Sequence, residues 1–74
     1  MREIEIKLKQ VLKSREMEQK ELAELTGLSN RTISELANNK TERIPKNAIA
    51  RIAEVLDITD INELITIVKV TGDD

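Results

Sequence analysis

The side chains of this chain best equipped for chemistry fall in one run, Ser29-Asn30-Arg31-Thr32-Ile33-Ser34-Glu35. That chemistry is recognition. Asn and Arg carry paired hydrogen-bonding groups that match adenine and guanine edges, and short hydroxyls reach phosphate oxygens. Gln19 upstream and Asn38, Lys40 and Arg43 downstream extend the polar set. Bond-making chemistry, in contrast, lacks its usual tools. The chain has no histidine and no cysteine in 74 residues. The commonest general base and metal ligand are missing, and so are thiolate metal sites and disulfides. The remaining carboxylates and lysines are scattered at spacings that converge nowhere. We therefore expect no enzyme activity, no cofactor and no metal.

Composition narrows the partner. Phe, Tyr and Trp are absent, which argues against single-stranded or unpaired RNA targets, whose bases stack on aromatic platforms. The same absence leaves the core to Ile, Leu, Val and Ala. The net charge is −2, from 12 basic and 14 acidic residues, whereas a basic footprint is expected of a nucleic-acid binder. Its distribution is uneven, however. From Asn30 to Asn47, Arg31, Lys40, Arg43 and Lys46 stand against Glu35 and Glu42, a local balance of four bases to two acids. No apolar run approaches the roughly 20 residues of a membrane span, and no signal-peptide pattern opens the chain. A single cytoplasmic domain over residues 1–74, without membrane contact, is the expectation.

The polar run must be held by elements that the apolar spacing reveals. Ile4, Ile6 and Leu8 alternate with charges, which is strand period; Leu8, Val11 and Leu12 then follow helical spacing. A strand over about 2–6 thus leads into a helix over about 7–15, the alternative being a helix that starts earlier. A second helix from Gln19 places Leu22, Ala23 and Leu25 on one side. Gly27 then suits a left-handed helix end, and Ser29 suits the N-cap of a third helix over about 30–37, accepting from an N–H near Thr32. Ile33, Leu36 and Ala37 point that helix inward, leaving Arg31, Thr32, Ser34 and Glu35 outside.

After a break at residues 38–47, Pro45 is comfortable as an early residue of a fourth helix carrying Ile49, Ile52, Ala53 and Leu56. Asp60 and Glu63 resemble a capping pair for a last short helix containing Ile61, Leu64 and Ile65. The β-branched segment over 65–70 reads as a strand. Two isolated strands need each other, so the termini are expected to form a two-stranded ladder, the alternative being that 65–70 pairs across a dimer axis. Two short helices joined by a glycine-containing turn make a helix-turn-helix unit over about 19–37. In such a unit the second helix enters the DNA major groove, N-terminal residues first.

On these residues the chain resembles the Cro/C1-type, XRE-like helix-turn-helix domains of phage repressors and related bacterial regulators. Gln19, Glu21-Leu22-Ala23, Gly27, Ser29, Thr32-Ile33-Ser34 and Asn38-Asn39-Lys40 carry the likeness. So does the later stretch over 49–65, with one extra residue near Thr59. The resemblance spans about residues 8–65 and implies an all-α, five-helix, lambda-repressor-like domain. It implies that Asn30, Arg31 and Ser34 face base edges, with Glu35 beside them. Ser29, Thr32, Asn38 and Lys40 would hold phosphates, Arg43 would join them from the loop, and Gln19 would touch backbone phosphate at the start of the second helix. Three departures stand out. Glu18 replaces the usual Thr or Ser cap of the second helix, Asn39 replaces a common glycine, and Glu35 replaces a basic or amide residue.

The expected function is a sequence-specific regulator of transcription binding double-stranded DNA. It would act as a homodimer on a two-fold operator, as a small phage or prophage repressor in the cytoplasm of a bacterium or infected host. The alternative is a protein-interaction module, antitoxin-like or an anti-repressor, whose acidic surface engages a regulatory protein partner.

Overall fold

The computed structural model of the protein describes residues 2–69. Strand β1 spans Arg2–Ile6 and is followed by helices α1 (Leu8–Ser14), α2 (Gln19–Thr26), α3 (Asn30–Ala37) and α4 (Lys46–Leu56). A single 3-10 turn over Ile61–Glu63 then leads into strand β2, Ile65–Lys69. α2 packs on α3 and α4, and α1 packs on α3. Their apolar stripes enclose an aliphatic core in which Leu8, Leu22, Ile33, Leu36, Ile52, Leu56 and Leu64 are almost fully shielded. β1 and β2 pair antiparallel, with Arg2 opposite Lys69, Ile4 opposite Ile67 and Ile6 opposite Ile65. The expected terminal ladder is present; Val70, the expected last residue of its second strand, lies outside the described residues.

Helix ends show how the chain turns so tightly. α2 closes on Gly27, at φ +77°, whose N–H donates to the Ala23 carbonyl. The other three α-helices close on non-glycine residues in the left-handed region: Glu16 (φ 54°), Asn39 (φ 57°) and Asp57 (φ 56°). In each case the following N–H reaches back five residues, Met17 to Leu12, Lys40 to Glu35 and Ile58 to Ala53. This bond pattern satisfies carbonyls that the helix leaves open. Two arginines also serve remote helix ends. Arg15 donates to the Leu56 carbonyl at the end of α4, and Arg51 to the Thr26 carbonyl at the end of α2, 3.4 Å away. A cation there also complements the negative end of the helix dipole.

Three sequence expectations need correction. There are four α-helices, not five: the expected last helix is reduced to the turn over Ile61–Glu63. Asp60 does cap it, accepting from the Asn62 N–H at 2.9 Å. The helix cannot continue because the Leu64 carbonyl accepts from Lys7 N–H and the β-branched residues from Ile65 onward enter the ladder. On α2 the inward positions are Leu22, Ala23 and Thr26, while Leu25 is 56% exposed. Positions 22, 23 and 26 lie on one helical face, and Leu25 falls off its edge. Pro45, expected among the early residues of α4, is instead its N-cap, its carbonyl accepting from Ile49 N–H.

Candidate nucleic-acid interface

The turn between α2 and α3 is built from local hydrogen bonds. Thr26 is the one buried polar side chain among the described residues. Its hydroxyl donates to the Leu22 carbonyl at 2.8 Å and accepts from Leu28 N–H at 3.2 Å. It therefore spans the turn from the inside, while Gly27 supplies the backbone reversal. Ser29 then caps α3 as expected, its hydroxyl oxygen accepting from Thr32 N–H at 3.1 Å. The helix boundaries, Asn30–Ala37, are those read from the sequence.

α3 buries Ile33, Leu36 and Ala37 and turns its remaining residues outward. Asn30 and Arg31 are exposed in its first turn, and Thr32, Ser34 and Glu35 are half-buried. Much of the outward polar set is paired along the helix. Arg31 Nε donates to Glu35 Oε2 at 3.2 Å, the one ion pair among the described residues. The Asn38 amide donates to the Ser34 carbonyl at 2.9 Å and lies 3.2 Å from the Ser34 hydroxyl. Ser29 and Thr32 hydroxyls lie 2.9 Å apart. With side chains 83% and 45% exposed, the ion pair is worth about 0.2–0.5 kcal/mol, so it is broken at little cost.

The flanking residues are placed by different means. Gln19 is half-buried at the first position of α2. Its cap Glu18 makes no side-chain capping bond, consistent with the departure noted in the sequence. Lys40 is exposed directly after the left-handed residue that ends α3. Arg43 is exposed in the loop, where the Thr41 hydroxyl donates to its carbonyl at 2.7 Å and accepts from its N–H at 3.3 Å. The structure thus brings Ser29, Asn30, Arg31, Thr32, Ser34, Glu35 and Asn38 onto one helix and its cap, with Lys40 and Arg43 on the segment that leaves it.

Sequence reasoning missed four positioning residues: Thr26, Thr41, Asn39 and Arg51. Thr26 beside Gly27, and Thr41 two residues before Arg43, carry local signals, since short hydroxyls favour such turns. Asn39 and Arg51 carry none, because their partners are remote. The Asn39 carboxamide accepts from Ile6 N–H at 2.6 Å and donates to the Ile6 carbonyl at 3.0 Å, across 33 residues. It fastens the last residue of β1 to the end of α3.

Two short helices held across a glycine turn, the second capped and polar on its outer face, define a helix-turn-helix DNA-binding domain. Residues 7–69 match the Cro/C1-type HTH DNA-binding domain family, and the chain belongs to it. No curated protein and no solved structure gives a significant match. Among the described residues no helix is long and apolar enough to cross a membrane.

Proposed function

We propose that this protein is a sequence-specific regulator of transcription that binds double-stranded DNA as a homodimer on a two-fold operator, in the manner of a small phage or prophage repressor. The observation that carries this reading is α3: a capped helix whose first turn presents Asn30 and Arg31 to solvent, in a chain of this family. Inserted N-terminus first, it offers Asn30, Arg31 and Ser34 to base edges, with Glu35 able to accept from a cytosine amino group. Ser29, Thr32, Asn38 and Lys40 contact phosphates, joined by Arg43 from the loop and Gln19 from α2. One subunit supplies few contacts, and two recognition helices one DNA turn apart supply operator-level affinity. The protein does no bond-making chemistry in this reading and needs no cofactor.

Selection of bound duplexes from random DNA, followed by mobility shifts in modest salt, tests the proposal. The expected result is a two-fold consensus bound far more tightly than random duplex. The net charge of −2 supports a rival reading, an antitoxin-like or anti-repressor module that engages a protein. Absence of any enriched sequence and of any shift selects that rival.

A further inference from the structure

The ladder has one face that the helices cover only in part. In the antiparallel register, Ile6 and Ile65 share a face with Ile4 and Ile67, and then with Arg2 and Lys69. At the inner end Ile6 is buried and Ile65 packs against the core. Further out the same face runs past the helical body: Ile4 is 52% exposed and Ile67 61%. Ile61, 55% exposed on the 3-10 turn, lines one shallow concavity with Ile4, Ile65 and Ile67. The core layer therefore continues into solvent as a bare aliphatic strip.

The two ends of the strip carry opposite charge. Arg2 and Lys69 sit directly opposite each other at the outer end, like charges that repel across a ladder. Among the described residues no carboxylate pairs with either one, the Arg31–Glu35 bridge being the one ion pair there. At the inner end Asp60 and Glu63 flank Ile61, both exposed. A strip that is apolar in the middle, positive at one end and negative at the other complements itself under a two-fold axis. Rotation lays each positive end on the partner's negative end and brings the isoleucines together.

We infer that this strip is the interface between two copies of the chain, with Arg2 and Lys69 of each copy facing Asp60 and Glu63 of the other around a shared isoleucine layer. The inference rests on the dimeric reading above and assigns it a surface. The strip contains none of the residues assigned to DNA. Stable interfaces bury about 800 Å² on each partner. Three half-exposed isoleucines supply less, so the charged ends belong to the contact and the free dimer is weak.

Sedimentation equilibrium without DNA, over about 1–500 μM protein, reads the association directly. The wild-type chain is expected to dimerise reversibly within that range. Ile67→Asp should raise the dissociation constant at least about 10-fold, since it buries an unpaired carboxylate at the centre. Lys69→Glu should raise it about 10-fold, and the double variant Lys69→Glu/Glu63→Lys should return it to within about 3-fold of wild type. Lys69 and Glu63 are both exposed, so the charge swap remains informative even if Ile67→Asp unfolds. A wild-type chain that stays monomeric, or a swap that fails to restore association, overturns the interface. A chain that dimerises with this pattern yet binds no duplex from the random selection supports the interface and removes the DNA-binding reading. A chain that binds a selected duplex but remains monomeric across the range overturns the interface alone.

Discussion

Replacing Asn39 separates two jobs that one side chain performs. Its backbone holds the left-handed turn after α3, and its carboxamide holds both polar groups of Ile6. Asn39→Gly keeps the turn at no steric cost and deletes both side-chain bonds. Each such bond contributes about 0.5–1.5 kcal/mol, so the deletion costs about 1–3 kcal/mol. Relief of left-handed strain returns part of this, about 0.5–1 kcal/mol. The net expectation for Asn39→Gly is a loss of about 0–2.5 kcal/mol, centred on about 1 kcal/mol. Asn39→Ala loses the same bonds and puts a residue less tolerant of the left-handed region there, adding about 1 kcal/mol, so it should cost about 2–4 kcal/mol. Asn39→Asp keeps an acceptor for Ile6 N–H but sets a carboxylate against the Ile6 carbonyl, and should fall between wild type and Ala. Against a total stability of about 4–11 kcal/mol for a chain this size, these differences are readily resolved. Urea denaturation gives the free energies, and amide exchange at Ile6 and along β2 shows whether the ladder is loosened first. An Asn39→Gly variant that equals or exceeds wild type in stability, with Ile6 exchange unchanged, would refute the argument that this tether fastens the sheet to α3.

Other consequences are open to measurement. Arg31→Ala should cost about 1–3 kcal/mol on the selected operator and relax preference at one base pair per half-site, whereas Lys40→Ala should weaken operator and random duplex alike. Equal losses on both duplexes for Arg31→Ala would make Arg31 a phosphate clamp. Glu35→Gln should raise affinity for random duplex and blur discrimination, because it removes repulsion from phosphates together with a cytosine-specific acceptor; titrations at one fixed salt concentration check this. Operator binding should weaken with salt at a log–log slope of about −5 to −7 for a dimer making three or four phosphate contacts per subunit, and a slope near zero would take the Lys40–Arg43 segment off the DNA. Glu16→Gly should stabilise the fold by about 0.5–1 kcal/mol, seen as a Tm higher by a few degrees, because Glu16 is exposed and its positive φ favours glycine.

The sequence alone determined the features whose causes act within one turn of chain. Ser29 accepts from Thr32 N–H, three residues on, so the start of α3 was readable to the residue. Gly27 marked the end of α2 because no side chain opposes its positive φ. The inward face of α3 followed from a 3.6-residue period, and the outward placement of Arg31 and Glu35 from the same spacing. The β pattern of both termini was also legible, and the fold settles that they pair with each other within one chain. Tertiary structure decided what depends on neighbours distant in sequence. Leu25 and Thr26 are both compatible with an inward position on α2; packing against α3 and α4 selects Thr26, whose hydroxyl is satisfied within the helix. The last helix shrank to a single turn because Lys7, far upstream, takes the Leu64 carbonyl that a longer helix would use. Asn39 stood out in the sequence only as a replacement for a common glycine, and the partner that gives its side chain a role lies 33 residues away. Arg15 and Arg51 likewise look like solvated charges until the fold brings the ends of α4 and α2 to them. Short-range hydrogen bonds and periodicity leave a trace in local sequence. The choice among remote partners does not, because it is made by the packing of the whole core.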